Sequence, residues 1–481
     1  MSVGYRDDVK LTAFWDTVSL GQKFSKDNSA PILPTPESPC IIMYTSGSTG
    51  NPKGVIVTHQ NLVKSVNSYL YHLNNMEMSQ NDMYIGYLPL AHVLELIAEN
   101  MMMVFGVAIG YSTPNTLNDK SSMIKKGQKG DATILKPTFI ACVPLVLERI
   151  YKGVYDGVKK KGNFFENLFD YCVKYKMAAT ARGEVTPIMD RLIFKGVRQL
   201  LGGKVRVILS GGAPLSPESH AFIRSCMGCP LLQGYGLTET TACATGMTLD
   251  ENSTGRVGPP IQGINIRLEN WEEGNYRVTD KPRPRGEILI GGKNITAGYY
   301  KQPEKTAEEY FVDSHGMRWF RSGDIGEVEK DGSLKIIDRK KDLVKLQFGE
   351  YVSLGKVESV LKTCSIVENI CVYGDSTKSY VVALLCPDRG NLLKLAKKIG
   401  KTETDISALC GDKDLTGSVL RELVQYGKQL MLEKFELPGA VTICQEMWTL
   451  ESELVTAAFK LKRKPIQQFY QVDINRMYGL K

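Results

Sequence analysis

The hydrophobic positions of the chain change texture along its length. Residues 40–44, CIIMY, form a short apolar run of strand formers, delivered by a Pro- and Ser-rich extended approach over 25–40. In LPLAHVLELIAEN the apolar residues at 90, 93, 94 and 97 recur at helical spacing and predict an amphipathic helix. Residues 132–144, ATILKPTFIACVP, predict a buried strand. Residues 205–223, VRVILSGGAPLSPESHAFI, predict a strand, a glycine turn and a helix opened by Ser216 and Pro217. Strands alternating with helical stretches imply α/β layers built on parallel strands. Beyond about residue 250 the apolar pieces become short and β-like, as in NIRLEN, GEILIGG and SLKIIDRKKDLVKL, separated by Gly and Asp turns. An α/β tail follows.

Composition narrows this picture. A length of 481 residues allows two or three domains, and 43% hydrophobic with 23% charged residues supports a sizeable core and excludes bulk disorder. The net charge of +8 suits anionic small molecules or an acidic membrane surface, and a mixed solvated surface accounts for it as well. The 11 cysteines are odd in number and scattered in apolar runs, as at Cys142 and Cys371, the pattern of reduced core thiols. Cys226 and Cys229 form a lone C-x-x-C without a second ligand pair, so core positions fit them better than zinc. The first ten residues lack the apolar core of a signal peptide, and MMMVFGVAIG at 101–110 is too short to span a bilayer. The triplets at Asn252 and Asn294 therefore carry no glycosylation signal. Nothing points to nucleic acid.

The chemistry is concentrated elsewhere. YTSGSTGNPKGV, from Tyr44 to Val55, crowds hydroxyls at Thr45, Ser46, Ser48 and Thr49 with glycines at Gly47, Gly50 and Gly54 and one cation, Lys53. Glycines let backbone N–H groups approach a phosphate chain, small hydroxyls add donors, and a lysine supplies a mobile charge. A plain polar turn needs far fewer such residues. The order Lys53-Gly54-Val55 is not that of a Walker A loop.

This stretch resembles the phosphate-binding signature of the acyl-adenylate-forming enzymes, and further motifs follow in that family's order. QGYGLTET (233–240) resembles the adenine and magnesium motif. The resemblance implies that Tyr235 stacks on adenine beside Gly236, that Thr238 contacts the α-phosphate and that Glu239 holds Mg²⁺, a hard cation suited to oxygen ligands. SGGAPL (210–215) is similar to the turn that lines the adenine pocket with backbone at Gly211, Gly212 and Ala213. Within residues 318–358 the resemblance implies ribose contacts for Asp324, a ribose or phosphate contact for Arg339 and a hinge at Lys341. It also implies that Lys345 enters the site in a second half-reaction. Ser322-Gly323-Asp324 replaces the family's usual Thr-Gly-Asp. VTAAFKLKRK (455–464) resembles the C-terminal catalytic-lysine motif, on Lys460, with Ala458-Phe459 where the usual motif has Ser-Gly. For His92, in PLAHVLE, a satisfied structural histidine and a substrate-side role fit equally.

The wording of IIDRKKDLVKLQ is similar to long-chain fatty-acid–CoA ligases, with an animal subclass that includes arachidonate-preferring members as the nearest likeness. The resemblance implies an α/β fold. A large adenylation domain (1–338), of stacked α/β layers plus a β-rich subdomain, precedes a small mobile domain (339–481). The 43 residues before Tyr44 lead to the expectation of a shortened first subdomain without the family's membrane anchor. The implied reaction joins a long-chain fatty acid to coenzyme A through acyl-AMP, with ATP and CoA as co-substrates and Mg²⁺ as cofactor. It would run on the cytoplasmic side of the endoplasmic reticulum or another organelle membrane, with peripheral membrane contact. A peptide-synthetase adenylation module would need a carrier domain, for which the 21 residues after Lys460 leave no room. A luciferase-like oxygenase shares the adenylation motifs but not the long-chain-ligase wording. A non-catalytic nucleotide- or lipid-binding protein stands as the alternative from another class.

Overall fold

The computed structural model describes residues 12–24, 33–45, 52–119, 121, 123–449, 451–456 and 460–480. Its largest sheet has six strands in the order β4-β3-β5-β6-β7-β8. These are β3 (Met83–Gly86), β4 (Ala108–Tyr111), β5 (Phe139–Cys142), β6 (Val207–Ser210), β7 (Leu231–Tyr235) and β8 (Thr245–Gly246). β3 to β7 run parallel, and only the β7–β8 pair is antiparallel. Each parallel step is bridged by helix, as parallel strands require. Buried strands read as unbroken apolar runs: Phe139, Ile140, Ala141 and Cys142 are all buried. β6 ends at Ser210 and β7 at Tyr235, so the SGGAPL and GYGLTE turns both leave the carboxyl edge of this sheet, where open α/β sheets hold ligands.

Two sequence expectations shift at their boundaries. The LPLAHVLELIAEN pattern becomes helix Val93–Phe105, starting at 93 because His92 is the N-cap. Its Nδ1 accepts from Leu94 N–H at 3.3 Å. The buried strand expected over 132–144 is only β5. Residues Asp131–Leu135 form a short helix that ends where Lys136 turns left-handed at φ 50°. The apolar spacing of ATIL cannot distinguish the two. The helix is selected by packing, since the backbone at Gly202 crosses so close that a Cβ there would meet Ala132 O at 2.2 Å.

Ahead of the sheet, β1 (Pro39–Thr45) and β2 (Lys53–Thr58) form an antiparallel hairpin that pairs Thr45 with Lys53. Helix His59–His72 follows directly. Thr58 caps it in a reciprocal box with Asn61, whose amide also donates to Lys293 O and Ile295 O at 2.8 and 3.0 Å. The hairpin is thereby fixed to the β-rich layer, which contains β9 (Ile264–Glu269), β10 (Arg285–Gly292), β11 (Tyr310–Val312), β12 (Arg318–Val328) and β13 (Leu334–Arg339) in an antiparallel sheet. The basic run SLKIIDRKKDLVKL splits into β13 and β14 (Leu343–Lys345), which pairs with β15 (Tyr351–Ser353). After helix Leu354–Leu361 comes a sheet of β16 (Val367–Tyr373), β17 (Val382–Pro387) and β18 (Ala440–Ile443).

The buried apolar side chains fall into separate clusters. One runs from Met43 to Leu334. The others lie between Leu346 and Ile474. All cysteines but Cys40 are buried, Cys226 and Cys229 within the first cluster. Among the described residues no helix is long and apolar enough to cross a membrane.

Candidate active site

The carboxyl edge of the parallel sheet faces the antiparallel layer, and the motifs meet in that gap. Of the hydroxyl-rich loop, Thr45 and Lys53 are described. Ser46, Gly47, Ser48, Thr49 and Gly50 lie outside the described residues. Lys53 is only 9% exposed. Its ammonium donates to Tyr299 Oη at 3.1 Å and to both oxygens of Glu309 at 3.2 and 3.3 Å, and sits 4.3 Å from the Tyr299 ring centre. The Tyr299 hydroxyl contacts Glu309 and donates to Glu239 Oε1 at 2.9 Å. A lysine, a phenol and two carboxylates thus form one connected group where a phosphate chain would arrive.

Glu239 stands in the short turn Thr238–Thr240, buried at 7% exposure, and burial raises its pKa above the usual carboxylate value. Thr238 beside it is half-buried. The turn is bolted from behind: Thr296 N–H donates to Glu239 O, and the Asn294 amide donates to Thr240 O and Cys243 O. Asn294 and Thr296 are fully buried, so the triplet discounted as a glycosylation signal has a packing role. Gly236 is required by crowding, since a Cβ there would lie 2.3 Å from the Ala242 carbonyl.

The residues assigned to adenine and ribose are adjacent. Tyr235 donates its hydroxyl to Asp324 Oδ2 at 2.7 Å, and Arg339 Nε donates to Asp324 Oδ1 at 2.7 Å. β12 and β13 set Asp324 and Arg339 opposite each other in register. The Asp324 carboxylate favours the charged form of the Arg339 guanidinium, whose side chain is half exposed. Gly211 is buried, and its N–H donates to Cys142 O at 3.2 Å. Gly212 is left-handed at φ 85°, and Ala213 is exposed.

Lys460 comes from the far end of the chain into this gap. Its Cε lies 3.9 Å from where a Cβ of Gly212 would stand, and His92 lies 3.5 Å from that same point. Burial, then repulsion by Arg339, brings the Lys460 pKa down to about 8 against the attraction of Asp324 and Glu239. His92 is pushed down to about 4 by burial and by Lys460, so its ring is neutral. The imidazole caps a helix with Nδ1, which fits the structural reading, and also sits beside Lys460. Lys341 is exposed, and its ammonium feels Glu309, Lys53, Lys305 and Arg339. Lys345 is outside the group: it is exposed, with its ammonium 5.4 Å from the Tyr351 ring centre.

Tyr299 and Glu309 were not singled out from the sequence. They lie in AGYYKQPEKTAEEY, where the only local signal is an aromatic after Gly298, and Lys53 and Glu239, which they meet, are 60 residues or more away.

A divalent cation fits the donor set. Glu239 is a buried carboxylate whose charge a cation would stabilise, and Thr238 adds a hydroxyl. Among the described residues no three His, Cys, Asp or Glu side chains converge, so protein groups alone would not cage the ion.

Known proteins resemble this chain. The family model described as AMP-binding enzyme matches residues 5–300. Long chain acyl-CoA synthetase 8 of Arabidopsis thaliana is 47% identical, covering 98% of this chain and 66% of the relative. Long chain acyl-CoA synthetase 1 of the same plant is 38% identical over 98% of this chain and 69% of its own length. Fatty acyl-CoA synthetase A of Dictyostelium discoideum is 36% identical over 98% and 68%. The chain thus spans about two thirds of the length of the curated relatives it matches. The finer likeness to an animal subclass finds no support among these plant and amoebal relatives.

Among solved structures, the A domain of carboxylic acid reductase from Segniliparus rugosus, in complex with AMP and a carboxylic acid, superposes with a TM-score of 0.71. It is 25% identical, covering 96% of this chain and 65% of that one. O-succinylbenzoate coenzyme A synthetase from Bacillus subtilis, with ATP and magnesium ion, shares the fold at a TM-score of 0.60 and 21% identity. That match covers 92% of this chain and 74% of the other.

Proposed function

The chain belongs to the AMP-binding enzyme family, with the long-chain acyl-CoA synthetases among its relatives, and on that premise we propose that it ligates a long-chain fatty acid to coenzyme A through an acyl-AMP intermediate. In the first half-reaction the fatty-acid carboxylate attacks the α-phosphorus of ATP in line, and the bond to pyrophosphate breaks. In the second, the CoA thiolate attacks the acyl carbonyl and AMP leaves. Both are reactions in which the protein positions groups and stabilises charge. The observation that carries the reading is Lys460, delivered beside His92 and Gly212 from the other end of the chain and within electrostatic reach of Arg339, Asp324 and Glu239.

Each residue then has a task. Tyr235, Gly236 and the backbone at Gly211, Gly212 and Ala213 take adenine, and Asp324 with Arg339 takes the ribose. ATP displaces the Tyr235–Asp324 hydrogen bond. Lys53, with the loop from Thr45 to Gly50, neutralises departing pyrophosphate, releasing Glu309 and Tyr299. Thr238 and Lys460 stabilise charge at the α-phosphate. Mg²⁺, held by Glu239 and the phosphates, would screen the triphosphate during attack. The unit before residue 339 serves as the large domain and the rest as a mobile one turning at Lys341. Its movement withdraws Lys460 and brings in Lys345 for the thioester step.

ATP–pyrophosphate exchange with oleate tests the reading. Oleate-dependent exchange is expected. ATP binding without exchange would leave the non-catalytic alternative.

We further propose that this work is done at the cytoplasmic face of an organelle membrane, through peripheral contact. On helix Asn163–Ala181, Phe164, Leu168, Tyr171 and Tyr175 are exposed at spacings of four, three and four, one stripe of the helix. Lys159, Lys160 and Lys161 precede it and are exposed. Aromatics beside lysines suit an anionic lipid surface. Replacing Phe164, Leu168 and Tyr171 with serine is expected to abolish cosedimentation with phosphatidylserine-containing vesicles. Unchanged sedimentation would refute the contact.

A further inference from the structure

Lys460 reaches the nucleotide site only if the body carrying it is held in one orientation. Its own segment is tied firmly into that body. Val455 bridges Leu461, and Arg463 binds both oxygens of Glu358 at 2.8 and 2.7 Å, Asp342 at 2.9 Å and Val372 O at 3.1 Å. Lys460 therefore moves with helix Leu354–Leu361 and β16. Residues 362–368, the link between those two elements and the first two positions of β16, meet helix Pro144–Lys159 of the other body.

Two consecutive turns of the helix are used. Arg149 donates from Nε and Nη2 to Glu368 Oε1 at 3.2 and 3.0 Å. Lys152 donates to Val367 O. Glu148, 4% exposed, has Oε2 at 4.0 Å from Lys362 Nζ and, among the described residues, without a hydrogen-bond donor. Burial raises the Glu148 carboxyl and lowers the Lys152 ammonium. These charges do no chemistry and lie outside the nucleotide group.

We propose that Glu148, Arg149 and Lys152 are positioning residues, a latch that grips 362–368 and so holds Lys460 at the nucleotide site for adenylate formation. The latch rests on the two-half-reaction reading above. It must open when Lys345 takes its turn, and its design suits that. Arg149–Glu368 is partly exposed, with side-chain exposures of 46% and 23%, so it is weak enough to break and re-form. A latch biases orientation, so weakening it lowers the population competent for the first half-reaction and spares the second.

The test is charge reversal and swap in the full chain. Arg149→Glu and Glu368→Arg are each expected to slow acyl-AMP formation about three- to tenfold. Thioester formation from supplied acyl-AMP is expected to stay unchanged or rise. Both variants should also speed hydrogen–deuterium exchange of peptides 144–159 and 360–370. The double swap should restore rate and protection. Equal loss in both half-reactions, no loss, or failure of the swap to restore would overturn the latch. If the unaltered chain shows no ATP–pyrophosphate exchange, the functional reading falls by itself. The hydrogen-exchange arm then decides the latch: faster exchange reversed by the swap sustains it, and unchanged exchange removes it.

Discussion

Lys460 carries its charge into a place that resists it. Burial and Arg339 hold its pKa near about 8, so at neutral pH it is protonated, and the charge is lost as pH rises through that value. Single-turnover acyl-AMP formation should therefore fall above about pH 8, and Lys460→Arg should move that fall to higher pH. An unchanged limb in the arginine variant would assign the titration elsewhere. Lys460→Ala should suppress acyl-AMP formation by about 10²-fold or more, the scale of a lost charge-stabilising donor, while sparing thioester formation from acyl-AMP.

Glu95 gives a second residue-scale prediction. It is fully buried, accepts from Tyr84 at 2.9 Å, and its Oε1 has no hydrogen-bond partner among the described residues. Burial raises its pKa to about 8, with Tyr84 opposing and Glu99 adding. An acid whose folded pKa is raised contributes stability that is full below its unfolded value near about 4.5 and is lost as pH climbs through about 8. Glu95→Gln should thus flatten the fall of stability between about pH 4.5 and about pH 8, a difference on the order of a few kcal/mol in urea titrations. A parallel fall in both proteins across that window would refute it. The motif residues were legible one by one because their types are unusual together, as in the hydroxyl-rich loop. Tyr299 and Glu309 were not, because what makes them matter is a meeting with Lys53 across 246 and 256 residues.

At the scale of elements, turns do the presenting and glycines make the turns possible. Gly212 sits at φ 85° with His92 and Lys460 against its open side. Gly212→Ala adds left-handed strain of roughly 1 kcal/mol and a methyl in the nucleotide gap. It should weaken ATP binding, measured calorimetrically, far more than it lowers the melting temperature. Comparable effects on both would make Gly212 purely structural. Strand–turn–helix over 205–223 was readable because each part has its own chemistry: an apolar run, two glycines, and Ser216-Pro217 at the helix start. The helix Asp131–Leu135 was not, since five residues carry too little periodicity and its packing against Gly202 is tertiary.

At the scale of the molecule, the core from Met43 to Leu334 and the cores from Leu346 onward share no buried cluster among the described residues, and a polar contact of ion pairs and backbone carbonyls joins the bodies. Such a contact couples two bodies weakly. The change of texture near residue 250 anticipated the antiparallel layer, but the seam between bodies has no compositional mark, because β13 and β14 continue one basic run across it. The tryptophans allow the seam to be tested. Trp319 is buried in the first body, and Trp448, donating to Tyr470 at 3.2 Å, is buried in the second. Variants keeping only Trp319 or only Trp448 should unfold at different denaturant midpoints, a departure from two-state behaviour. Mg·ATP should draw the midpoints together, because a ligand gripped by Asp324 on one side and Lys460 on the other binds only when both bodies are folded and apposed. Midpoints that coincide without nucleotide would mean one cooperative unit. Midpoints that stay apart at saturating nucleotide would mean that Lys460 does not touch what Asp324 holds.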